Sequence, residues 1–138
     1  MKNPALVDAN VVLRFLLADD PRQSAEAAAL FANAPARSLL VTSLALAEVA
    51  WVLLSHYRVP RDQVSLALQR VLALPSVEVD AITGAAVTRF SLTKLDFADC
   101  VLAAHAAQAH SLVITFDKDF QQFPDITALA PKAALSRL

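Results

Sequence analysis

Four carboxylates stand where a charge is expensive. Asp8 is the only charged residue between Lys2 and Arg14. Glu48 is the only formal charge between Arg37 and Arg58. Asp117 ends the run Leu112-Val113-Ile114-Thr115-Phe116, and Asp99 closes the string Asp96-Phe97-Ala98-Asp99. An ionised carboxylate in apolar surroundings is costly unless it is paired or bound to a metal. No basic residue is local to Asp8 or Glu48. Several acids gathered together repel one another, and a divalent cation resolves that conflict. A set of Asp and Glu oxygens favours Mg2+, or Mn2+ in its place, over zinc. The chemistry such a site supports is metal-assisted hydrolysis.

Each acid also has a plainer reading. Asp8 can end a strand through an Asx-turn, and Glu48 can be solvated or pair with a distant arginine. Asp99 lies three residues after Asp96, so Asp96 can cap a helix while Asp99 favours its N-terminal dipole. Asp117 can start a turn, and Asp119 can be a solvated residue. What joins them is position in the fold.

The elements that must position them alternate between strand and helix. Strands are predicted at 5–8, 39–42, 77–79, 112–115 and 126–129. Helices are predicted at 10–18, 21–33, 43–56, 60–74, 81–91 and 97–110. Asp20 precedes Pro21, a pairing suited to a helix start, and Ser43, Asp80 and Asp96 are further candidate caps. Short strands, apolar on both faces and separated by helices, predict a mostly parallel sheet covered on both sides. Ligands of such sheets bind beyond the carboxyl ends of the strands. Asp8 and Asp117 follow strands there, Glu48 lies in the second turn of the helix after the second strand, and Asp99 in the first turn of its helix, so all four can converge on that edge.

Composition removes other classes. The 138 residues form one domain, 1–138, with 57% hydrophobic and 18% charged residues, which excludes a disordered chain. The 28 alanines favour helix. One cysteine, Cys100, excludes an internal disulfide framework and a Cys-rich zinc site. One glycine, Gly84, excludes glycine-rich phosphate loops. His56, His105 and His110 have no metal-ligand spacing. The net charge is −1; with the four acids in a pocket, 12 basic and nine acidic groups remain elsewhere. That balance lets a polyanion approach. Met1-Lys2 is followed by Asn3-Pro4 and an apolar run broken by Asp8, unlike a signal peptide. The long apolar stretch 38–55 contains Glu48, Thr42 and Ser43, and reads as buried strand and helix rather than a membrane span. A cytoplasmic protein with no membrane association is expected.

Together these strings carry a resemblance. Val7-Asp8-Ala9-Asn10, Glu48 after the second strand, Asp96-Phe97-Ala98-Asp99 with Ala103-Ala104, and Thr115-Phe116-Asp117-Lys118-Asp119-Phe120 resemble the PIN domain. More narrowly, the chain resembles VapC-type toxins of toxin–antitoxin pairs. The resemblance covers nearly the whole chain. It implies a three-layer α/β/α sandwich with a central, mostly parallel sheet. It also implies an Mg2+-dependent ribonuclease that inhibits translation and growth. Asp8, Glu48, Asp99 and Asp117 match the family's acidic quartet. Asn10, Ser43 and Thr115 match positions that help orient it, and Asp96 and Asp119 match additional acidic positions. A VapB-like antitoxin and a homodimer are the implied partners.

Arg14, Lys94 and Lys118 are candidate RNA contacts. Phe97, Phe116 and Phe120 read as core, and Trp51 sits on an apolar helix face. Stacking platforms are therefore scarce, and recognition by RNA shape and backbone is expected. Leu66, Val71 and Leu72 also read as core. Two other readings remain at this point. The acidic pocket can receive a partner's arginine without catalysis. A haloacid-dehalogenase-type phosphatase is disfavoured, because its second aspartate is replaced by Asn10.

Overall fold

The computed structural model describes residues 3–138; Met1 and Lys2, where the reading for a leader began, lie outside them. Strand β1 (Ala5–Leu6) leads into helix α1 (Ala9–Leu17) and then α2 (Pro21–Asn33). The Asp20 side chain accepts a 3.0 Å bond from Gln23 N and Pro21 fills the first turn, as the sequence predicts. Strand β2 (Leu39–Leu40) precedes α3 (Ser43–Trp51), which runs on as a π-helical turn, Val52–His56. Helix α4 (Arg61–Leu72), β3 (Val77–Glu78), α5 (Ala81–Leu92) and α6 (Phe97–Ala109) follow. The chain finishes with β4 (Val113–Ile114), a 3-10 turn (Lys118–Gln122), β5 (Ala128–Leu129) and α7 (Pro131–Leu135). Helix α7 lies beyond the last element that the sequence predicts.

Every strand pair is parallel. Ala5 lies opposite Leu39, Leu39 opposite Val77, and Val113 opposite Ala128. Parallel partners need a crossover, and the helices between them supply it. The fold is thus α/β, as expected, but the ladder has two parts. Strands β1, β2 and β3 form one sheet, and β4 pairs with β5 in another. No ladder joins these two parts among the described residues. The strands are shorter than predicted: Val7 still donates to Leu40 O at 2.9 Å, beyond the end of β1.

Val12, Leu46, Val49, Leu68, Phe90 and Cys100 are buried in one continuous core. Ala103, Ala104 and Ala106 line the buried side of α6, and such small residues let it lie close to α5. Three expectations about burial fail. Phe116 is 85% exposed. Along this strand alternate side chains point to opposite faces, so Val113 is buried while Ile114 and Phe116 face out. Leu66 is 59% exposed, because α4 turns Val64, Leu68 and Val71 inward and leaves Leu66 on the other face. Leu72 is half-buried, and only Val71 of the three is core. Among the described residues no helix is long and apolar enough to cross a membrane.

Candidate active site

Four aspartates hold the residue before an α-helix, and they behave in two ways. Asp20 and Asp80 cap with their side chains, Asp80 accepting from Thr83 N at 2.8 Å. Asp8 and Asp96 occupy the same position on α1 and α6, yet their side chains make no capping bond. A side-chain N-cap contributes about 1 kcal/mol. Two carboxylates forgo it, and both belong to the acidic set singled out by the sequence. Their backbones start the helices: Asp8 O accepts from Val11 N at 3.1 Å, and Asp96 O from Cys100 N at 3.1 Å.

Asp99 lies in the first turn of α6 and is half-buried. Burial pushes its carboxyl above the usual carboxylate range, and the negative charges of Asp96, Asp117 and Asp119 push it further. The charges of Asp96, Asp117 and Asp119 thus act on Asp99 in the first turn of α6. Asp117 is held by its own turn. Its N–H donates to Thr115 Oγ1 at 2.9 Å, and its Oδ1 accepts from Asp119 N at 2.8 Å. Thr115 thus fixes the backbone that presents Asp117.

Asp8 and Glu48 are exposed and are not among the charges acting on Asp99. Asp8 sits beyond the carboxyl end of β1, and Glu48 in the second turn of α3. Helix α3 packs against both α1 and α6, so it stands between the helices that carry Asp8 and Asp99. Asn10 is exposed in the first turn of α1.

Two supporting residues differ from expectation. Thr42, not Ser43, caps α3, accepting from Ala45 N at 3.2 Å. Ser43 Oγ lies 2.6 Å from Thr83 Oγ1, which donates to Asp80 Oδ2 at 2.8 Å. Ser43 therefore ties α3 to α5 and touches no member of the acidic set. Arg14 is paired with Asp19, which also accepts from the Tyr57 hydroxyl at 3.3 Å. The guanidinium holds the Asp19 carboxyl below its ordinary range. Lys94 and Lys118 are exposed and enter no ion pair among the described residues.

One positioning residue escapes sequence reasoning. Arg61 donates to Phe90 O at 3.1 Å, Thr93 O at 3.1 Å and Leu95 O at 2.6 Å. It binds the end of α5 and the turn that delivers Asp96. Its partners are backbone carbonyls about thirty residues away, which no motif encodes. Cys100 is buried, and burial pushes its thiol up, so it is no nucleophile. His56, His105 and His110 are exposed.

The sequence pattern of the PIN domain matches residues 5–126. The chain belongs to the PIN domain family. No curated protein matches it. PIN domains are in general nucleases that bind RNA and use a divalent metal. Among the described residues of this PIN domain, no three His, Cys, Asp or Glu side chains form a group able to hold a metal as they stand. The donor chemistry fits one: the acids whose charges act on Asp99 offer only oxygens, and they add repulsion to the burial that raises its carboxyl. A hard divalent cation relieves that repulsion.

Proposed function

We propose that this PIN domain is an Mg2+-dependent ribonuclease, with Mn2+ able to substitute, and that it is the VapC-type toxin of a toxin–antitoxin pair. The carrying observation is the half-buried Asp99, its carboxyl raised by burial and by Asp96, Asp117 and Asp119. In this reading Asp8, Glu48, Asp99 and Asp117 hold the metal, and Asp96 and Asp119 surround it. A divalent cation bound there supplies Lewis acidity and offsets the charge of the phosphate. The carboxylates orient and neutralise rather than attack. Thr115 keeps Asp117 in place through the 2.9 Å bond to its N–H. Arg61 keeps the turn before Asp96 in place. Lys94, two residues before Asp96, and Lys118, next to Asp117, meet flanking phosphates.

A protein partner is supported by a groove of about 360 Å3 lined by Leu16, Leu17, Val59 and Leu66 with Gln63 and Arg70. The exposed Leu66 beside the half-buried Leu16, Leu17 and Val59 suits the apolar face of an antitoxin helix, and the toxin is a cytoplasmic homodimer when free of it.

The test is cleavage of total and transfer RNA by antitoxin-free protein with Mg2+ or Mn2+, against EDTA and Asp99→Asn controls. Metal-dependent cuts that vanish in the variant are the expected result. A second reading, an acidic pocket that receives a partner's basic side chain without catalysis, draws on the lack of a ready three-donor group among the described residues. Folded protein that neither cleaves RNA nor binds metal decides for that reading.

A further inference from the structure

We propose that Trp51 and Phe116 are stacking platforms for unpaired bases on either side of the cleaved phosphodiester. The inference rests on the nuclease reading above. Trp51 closes α3 and is 67% exposed, and Phe116 is 85% exposed. Each adjoins a different member of the acidic cluster. Phe116 immediately precedes Asp117. Trp51 lines a groove of about 470 Å3 with Ala47, Ala50, Leu54, Asp96 and Phe97. Asp96 thus belongs to the groove and, one helical turn from Asp99, to the cluster. A groove of this size lies within the range of ligand pockets, roughly 300–1,000 Å3.

The chemistry selects the occupant. The groove has apolar walls, an aromatic plane and an acid at its rim. Phosphates are repelled by that rim, whereas a base brings a flat apolar face and edge N–H donors that Asp96 can accept. Aromatic side chains beside a backbone track bind single strands by stacking. Bases locked in a duplex expose only their edges, so the two platforms select unpaired RNA. The π-helical turn Val52–His56 begins directly after Trp51 and changes the helical register there.

Trp51 is the chain's only tryptophan, so its emission reports this groove alone. The experiment titrates the Asp99→Asn protein, which keeps the RNA intact, with hexaadenylate in Mg2+. A 12-base-pair RNA duplex is the control. Saturable quenching by the single strand, and little by the duplex, is the expected result. Trp51→Ala and Phe116→Ala should each weaken binding of labelled hexaadenylate about 5- to 100-fold. Trp51→Phe should recover most of the affinity. Both side chains are exposed, so the variants should melt like the parent, and this is measured alongside. Alanine variants that bind as tightly as the parent overturn the proposal. So does emission that shifts with protein concentration and ignores RNA, because a second copy then covers the groove. Wild-type cleavage is read separately: quenching without any metal-dependent cleavage keeps the platforms and removes the nuclease.

Discussion

The guanidinium of Arg61 lies over the ring of Phe90, 3.8 Å from its centroid, and Phe90 also gives it a backbone carbonyl at 3.1 Å. One side chain from α4 thereby holds the end of α5 and, through Thr93 O and Leu95 O, the turn into Asp96. Planarity matters here, because a guanidinium can stack and fork its donors at once. Arg61→Met keeps the stem but strands three carbonyls. It should cost about 2–3 kcal/mol of stability, read from the urea midpoint. Arg61→Lys should recover only part of this. A Met variant that unfolds at the wild-type midpoint would show that the network carries no weight.

His110 ends α6 in the left-handed region, with φ 53°. Ser111 N donates to Ala106 O at 2.9 Å and His110 N to Ala107 O at 3.4 Å, the paired bonds of a helix stop that normally employs glycine. A side chain there strains the backbone, and the chain has one glycine in all, placed elsewhere. His110→Gly should therefore stabilise the protein by about 0.5–1 kcal/mol, after the greater freedom of glycine in the unfolded chain is deducted. Denaturant unfolding reads the difference. A loss of stability would mean that the imidazole makes a favourable contact.

Asp99 couples stability to pH in an unusual direction. Its folded carboxyl is raised above the ordinary 3.8, so the native state binds this proton more tightly than the unfolded chain. The contribution is favourable below 3.8 and is lost as pH rises through the folded value. Asp99→Asn removes the loss. In EDTA at pH 7 the variant should melt above the wild type, and the two should converge toward pH 4, on the order of the ordinary carboxyl value. Added Mg2+ should reverse the order, because ligand stabilises only the protein that binds it. RNA cleavage by the variant should fall at least about 100-fold. A variant that melts below wild type in EDTA would contradict the repulsion inferred at Asp99.

What was legible in the sequence was local. Asp20 and Asp80 announce helix starts because a cap and the N–H it accepts are three residues apart. Asp96 and Asp99 share a helical turn for the same reason. The choice between Thr42 and Ser43 was not legible, since adjacent hydroxyls offer the same cap chemistry and packing against Thr83 decides. Phe116 misled because its run is apolar but for Thr115, while burial depends on which face of β4 is covered. Arg61 was invisible because its acceptors are carbonyls that every residue has. The influence of Asp117 and Asp119 on Asp99 is tertiary, and no local spacing encodes it.

Glu48 and Asp8 carry the last prediction, because their charges are not among those acting on Asp99. If both help hold the metal, Glu48→Gln and Asp8→Asn should each weaken Mn2+ binding at least about tenfold in a calorimetric titration. Neither should lower stability by more than about 0.5 kcal/mol in EDTA, because both are exposed and Asp8 makes no capping bond to lose. Asp20→Asn supplies the contrast: a working cap far from the acids in the chain, whose loss of charge should leave Mn2+ affinity unchanged. Unchanged affinity in Glu48→Gln would confine the metal to the acids around α6. A matching drop in Asp20→Asn would reduce the whole effect to net charge.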